Sequence, residues 1–206
     1  MSEKKTSPER LALFSDAVFA VIITILVLEL KPPEEPTLRA LLPLWPTALS
    51  YLVTYVFIAI IWINHHYLFR FLHLATPRLI WWNFAHLFMI SLLPVTTAWI
   101  ARTRLAAAPV FIYALNFMLI EIAYIAFERT ALSQASSAEL TPPLRRIANI
   151  RSGLALLLFS SAAAIAFWSP ALGFALVCCV LLIYLIPQLP ALLHSRRKHR
   201  SRRPAH

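Results

Sequence analysis

The chain has 206 residues, 60% of them hydrophobic and 14% charged, with a formal net charge of +10 and a mean hydropathy of +0.70. A water-soluble domain of this length has too little interior to hide so much apolar surface, so lipid is the solvent this composition fits. Only two glycines, Gly153 and Gly173, occur, which excludes a glycine-rich phosphate cradle, a Gly-xxx-Gly helix pair and a carbonyl ion filter of the Thr-Val-Gly-Tyr-Gly type.

A helix needs about 20 mostly apolar residues to cross a hydrocarbon core of about 30 Å. Six runs qualify, near 10–30, 45–69, 78–101, 107–130, 149–168 and 171–193. They predict an all-α polytopic membrane protein with six transmembrane helices in a single domain over 1–206, ending in a basic tail at 194–206. The first run carries Asp16 and ends in Glu29-Leu30-Lys31 without a small-residue cleavage site, so it reads as a span and not as a signal peptide. The prolines of Lys31-Pro32-Pro33-Glu34-Glu35-Pro36 end it, because proline has no amide hydrogen with which to continue a helix. Pro94 should kink the third run. The polar stretch 131–148, with Pro142-Pro143, should be a mobile loop dividing four helices from two. Trp168-Ser169-Pro170 should make a tight hairpin, and Pro187 and Pro190 should bend the end of the last helix. Cys178 and Cys179 are neighbours on one helix, point in different directions and read as apolar packing.

Orientation follows from lysine and arginine, which are retained on the cytoplasmic side. Fifteen of the nineteen fall in 1–10, 70–78, 129–151 and 196–203, while Lys31, Arg39, Arg102 and Arg104 fall on the other side. Both termini are therefore expected in the cytoplasm. The net charge is mainly a topology signal: the tail Arg196–Arg203 is a juxtamembrane cluster suited to anionic headgroups, and no nucleic acid partner is expected.

Ionisable and amide side chains inside apolar helices cost about 2.5–3.5 kcal/mol each on insertion scales when charged, and so need partners. Ser15 and Asp16 on the first helix, Asn64, His65 and His66 on the second, Asn83 and His86 on the third and Glu121 on the fourth fall at similar depth, in the inner half of the bilayer. Asn64, His66, Asn83, His86 and Glu121 are expected to form one interhelical network, with Asp16 meeting Asn64, a histidine or Asn83. Arg10 lies six positions before Asp16, on a different helix face, so no direct pair is expected. Beyond Asp16, Val21, Thr24, Ile25 and Leu28 follow the i, i+3, i+4, i+7 spacing of one helix face. Such a stripe packs a helix, or gates by dewetting if several copies meet around an axis. A metal centre is not expected, since adjacent His65 and His66 cannot both face one ion from a regular helix and the repeated His-x-x-His-His clusters of membrane metalloenzymes are missing. No other cofactor is implied.

Arg10-x-x-x-Phe14-Ser15-Asp16, continued by Ala17-Val18-Phe19-Ala20, Thr24 and Leu28-Glu29-Leu30, resembles the first-helix signature of the transmembrane protein 175 family of potassium channels. Trp62-x-Asn64-His65-His66 and Leu92-Leu93-Pro94-Val95-Thr96 are similar to second- and third-helix features of the same family. The resemblance is carried by the first three helices and only by layout in the last three. It implies a single six-helix repeat forming a homotetramer in a prokaryotic inner membrane, with the first helix lining a pore for potassium ions. It further implies a constriction among Val21, Ile25 and Leu28, with Thr24 contributing to potassium preference and Arg10, Phe14, Ser15 and Asp16 in structural and gating roles. The alternative is a proton-coupled secondary transporter in which Asp16 and Glu121 carry protons.

Overall fold

A computed structural model describes residues 7–135 and 142–185 of the chain. The described residues are helical without strands: α1 Pro8–Leu28, α2 Trp45–Leu68, α3 Pro77–Ser91, α4 Leu93–Arg102, α5 Ala107–Leu132, α6 Pro142–Ile165 and α7 Pro170–Leu185. Short 3-10 turns at Leu38–Leu44 and Phe69–Phe71 flank α2. The basic tail 194–206 and the expected bend at Pro187 and Pro190 lie outside the described residues.

Proline positions account for most of the boundaries. Pro8, Pro46, Pro77 and Pro94 each occupy the first turn of a helix, where the missing amide hydrogen has no partner to lose. Pro94 divides the third apolar run into α3 and α4, since the carbonyl of Ile90 is left without its usual donor. The Leu92 amide donates to the Met89 and Ile90 carbonyls at the end of α3, and the Thr96 hydroxyl donates to the carbonyls of Leu92 and Leu93 at 3.3 and 3.2 Å. Together α3 and α4 still form one apolar segment, Pro77–Arg102, long enough to span.

The expected loop 131–148 is the main correction. Helix α6 begins at Pro142, ahead of the expected 149, because Pro142 and Pro143 open a helix here and do not extend the loop. Arg145 and Arg146, within the expected loop, are thus helical.

Five helical segments are long and apolar enough to cross a membrane, and α7 is a shorter apolar helix over Pro170–Tyr184. Helix α5 is the hub, packing on α3, α4, α6 and α7. Within the protomer 56% of its apolar window is buried, against 28% for α1. The core around α5 is aromatic, with the Phe57, Phe117 and Phe159 rings packed at 4.5–6.0 Å between centroids. Helix α1 leans against α2, α3 and α4 along one face only.

Gly173 sits where α7 crosses α6. A Cβ there would stand 2.9 Å from the Ala162 carbonyl oxygen and 3.1 Å from the Ala166 Cα, whereas a Cβ at Gly153 meets nothing within 4 Å. Gly173→Leu is therefore expected to lower the melting temperature of the purified protein. Gly153→Ala should leave it unchanged or raise stability by about 0.5–1 kcal/mol through helix propensity; a thermal melt of both variants checks the contrast.

Candidate functional site

The two faces of α1 differ in kind. Leu11, Ser15, Phe19, Ile22 and Leu26 are buried against the neighbouring helices. On the other face Val21 is 54% exposed, Ile25 45% and Leu28 76%, and Thr24 is exposed beside them. These four cover one side of the helix over about 10 Å of rise at about 1.5 Å per residue. The Thr24 hydroxyl donates back to the Val21 carbonyl at 2.7 Å, so its oxygen lone pairs remain directed away from the helix. Among the described residues no other helix covers this apolar stripe.

The buried face is fixed by a polar junction. The Ser15 hydroxyl donates to the Leu11 carbonyl at 2.8 Å and accepts from Asn83 Nδ2 at 3.0 Å. Asn83 Oδ1 in turn accepts from His65 Nε2 at 2.7 Å. One amide on α3 thus joins α1 to α2, and Ser15, His65 and Asn83 are all fully or almost fully buried. The His65 ring is held among Phe19, Phe69 and Phe127.

Asp16 is turned aside from this junction. Its carboxylate accepts from Trp62 Nε1 on α2 at 2.8 Å, and Trp62 stacks on His66 at 5.5 Å. The indole is a partner that was not expected, reached because Asp16 lies one position round the helix from Ser15, toward α2. Arg10 is exposed at the mouth of α1, and Phe14 packs on Phe84 with centroids 5.3 Å apart. At the far end Arg102 Nη2 meets Glu29 Oε2 at 2.8 Å, tying the end of α1 to α4.

The remaining polar residues meet this junction at His86, whose ring stacks on His65 with centroids 6.1 Å apart. His66 is exposed and points away from the junction; its neighbour His65 is the buried member. The phase of the buried α2 residues Ser50, Thr54, Phe57, Ile58 and Leu68 carries the signal that selects His65. Asn64, His86 and Glu121 instead line an interior cavity of about 30 Å³, together with Tyr124 and Tyr184. His86 Nδ1 donates to the Ile120 carbonyl at 3.3 Å, which leaves Nε2 as an acceptor against that cavity. The Tyr184 hydroxyl donates to both Glu121 oxygens at 3.0 and 3.1 Å.

Three features escaped the sequence reading. Tyr184 supplies the Glu121 partner. Below it, Arg151 stands 4.0 Å from Glu128 and 4.9 Å over the Tyr184 ring, joining α5, α6 and α7. A buried hydroxyl triad, Thr54 with Thr97 and Tyr113 at 2.8 Å each, pins α2, α4 and α5. Among the described residues no three His, Cys, Asp or Glu side chains gather as a metal site.

Removing either end of the α1 junction strands a buried polar group, which costs about 1–3 kcal/mol. Ser15→Ala and Asn83→Ala are each expected to destabilise the protein by that amount. Their combined effect should be less than additive, with a coupling near the roughly 0.6 kcal/mol average for membrane hydrogen bonds. A double-mutant cycle by thermal or denaturant unfolding measures it.

The family model described as endosomal/lysosomal potassium channel TMEM175 matches residues 10–94. A protein named potassium channel from Chryseobacterium sp. (strain P1-3) is 32% identical over 179 residues, spanning 86% of this chain and 92% of that one. Another potassium channel, from Chamaesiphon minutus, is 34% identical over 127 residues, 56% of this chain and 61% of its own. A crystal structure of a lysosomal potassium-selective channel TMEM175 homolog from Chamaesiphon minutus superposes with a TM-score of 0.76 at 26% identity, over 87% of this chain and 97% of that one. The residues matched by the family model run from Arg10 to Pro94 and so hold the whole junction among α1, α2 and α3, and this chain belongs to the TMEM175 family.

Proposed function

We propose that the chain is one subunit of a homotetrameric potassium channel, a single six-helix domain over 1–206, in a prokaryotic inner membrane with both termini in the cytoplasm. Four copies of α1 line the pore, and Val21, Ile25 and Leu28 form its apolar constriction. The observation that carries this reading is the sidedness of α1. A membrane helix with one face tied down by hydrogen bonds presents a continuous stripe of Val21, Thr24, Ile25 and Leu28 that its own protomer leaves bare. The potassium-channel names of its relatives supply the ion.

An apolar ring conducts when it is wide enough to wet and closes by dewetting. It offers few oxygens to replace the hydration shell of an ion, so preference for potassium over sodium is modest, with the Thr24 oxygen available beside the ring. Arg10, Phe14, Ser15 and Asp16 position α1 and do not hold the ion. A transporter reading, in which Asp16 and Glu121 exchange protons, has less support: Asp16 is engaged by Trp62 on one side of the bundle and Glu121 by Tyr184 on the other.

Purified protein in planar bilayers under bi-ionic potassium/sodium conditions should give discrete current steps and a reversal potential biased toward potassium. Val21→Asn and Ile25→Asn should wet the constriction and raise single-channel conductance. Well-folded protein that gives no current but saturable, counter-ion-dependent flux in liposomes would overturn the channel reading in favour of the transporter. Asp16→Ala removes the acceptor of Trp62 and is expected to lower the yield of assembled oligomer on size-exclusion chromatography while leaving ion preference unchanged; a normal oligomer with altered preference contradicts that role.

A further inference from the structure

The inner ends of α3 and α5 enclose an open groove of about 510 Å³ whose lining includes Arg78, Trp82, Arg129, Thr130 and Ser133. Its floor is rigid. Gln134 Oε1 accepts from the backbone amides of His73 and Leu74 at 3.2 and 2.9 Å, and its Nε2 donates to the Leu74 carbonyl at 3.0 Å. This clamp holds the end of α5 against the segment that leads into α3.

The charge in the groove is unbalanced. Arg102 and Arg151 each have a carboxylate partner and Arg70 lies over the Tyr67 ring. Among the described residues Arg78 and Arg129 have no such partner, and no acidic residue lines the groove. The nearby Glu128 lies outside the groove lining, about 100° round α5 from Arg129, and contacts Tyr124 and Arg151. Two exposed guanidinium groups on one groove, with no carboxylate in its lining, suit an anion with planar, multidentate oxygens, as a phosphodiester has. Trp81 and Trp82, 75% and 37% exposed on the first turns of α3, mark headgroup depth, where tryptophan concentrates.

From this geometry we infer that the α3–α5 groove is a binding site for the headgroup phosphate of an anionic glycerophospholipid, with Arg78 and Arg129 as its ligands. Basic pockets between transmembrane helices bind such headgroups, and each arginine near the surface contributes about 1 kcal/mol. The site is separate from the α1 stripe and does not depend on which ion the protein conducts.

The test titrates the detergent-solubilised full chain with phosphatidylglycerol, phosphatidylcholine and inorganic phosphate, reading the melting temperature. Phosphatidylglycerol at about a hundredfold excess over its Kd should raise the melting temperature by about 5–10 °C, with no comparable effect from the other two. Arg78→Gln/Arg129→Gln should weaken that response roughly 30-fold. Arg39→Gln/Arg104→Gln, which removes the same charge at the opposite end of the bundle, should not. An equal response from parent and Arg78→Gln/Arg129→Gln protein, an equal loss in the opposite-end variant, or stabilisation by inorganic phosphate alone would each overturn the assignment. So would a Glu139→Gln variant, lacking the one carboxylate between Gln134 and Pro142, that loses stability without lipid to the same extent as Arg78→Gln/Arg129→Gln; the groove would then be filled by the chain itself.

Discussion

The Asn83 amide is the constraint on which the position of α1 depends. A membrane interior has no water to satisfy a stray polar group, so a buried amide, hydroxyl and imidazole must find one another. Asn83 has a donor for Ser15 on α1 and an acceptor for His65 on α2, and no apolar residue could bridge the two in its place. The junction therefore sets the rotation of α1 as well as its distance. With Ser15 turned inward, Phe19, Ile22 and Leu26 follow it inward at helical spacing, and Val21, Thr24, Ile25 and Leu28 must face out.

Two further ties act on the same helix at other points. Trp62 holds Asp16 on the α2 side, and Arg102 holds Glu29 at the far end. The second is an exposed pair, worth little on its own, while the Asn83 junction is fully buried. The half of α1 that carries Ser15 and Asp16 is thus anchored by hydrogen bonds, while the half that carries the stripe leans on apolar packing with one exposed ion pair at its end. The second polar group, with Glu121, Tyr184, Glu128 and Arg151, lies on the other side of His86 and fastens α5 to α6 and α7. It stabilises the outer bundle without touching the α1 stripe.

Much of this was legible in the chain itself, for definable reasons. Run lengths and prolines marked the helices, and the i, i+3, i+4, i+7 spacing identified the stripe on α1. Pairing was less legible. His65 and His66 are adjacent, and only the phase of the buried residues on α2 separates the ring that faces Asn83 from the one that faces Trp62. Asp16 looked like the centre of the network because it carries charge, yet the neutral Ser15 occupies the buried position. Tyr184 and the Thr54–Thr97–Tyr113 triad escaped because hydroxyls inside an apolar run leave little trace in hydropathy. The start of α6 was misplaced because Pro142 and Pro143 read equally as a loop or as a helix N-terminus; only the three-dimensional arrangement separates the two.

The central claim is that the bare face of α1 lines a shared ion path. Its most direct test is cysteine modification at Leu28, the most exposed residue of the stripe, in a background with Cys178 and Cys179 replaced. Potassium current through Leu28→Cys channels should be blocked by a cationic methanethiosulfonate reagent, and restored when a reductant removes the adduct. Complete labelling of Leu28→Cys, verified by mass spectrometry, with the current unchanged would place the stripe against lipid and contradict the account.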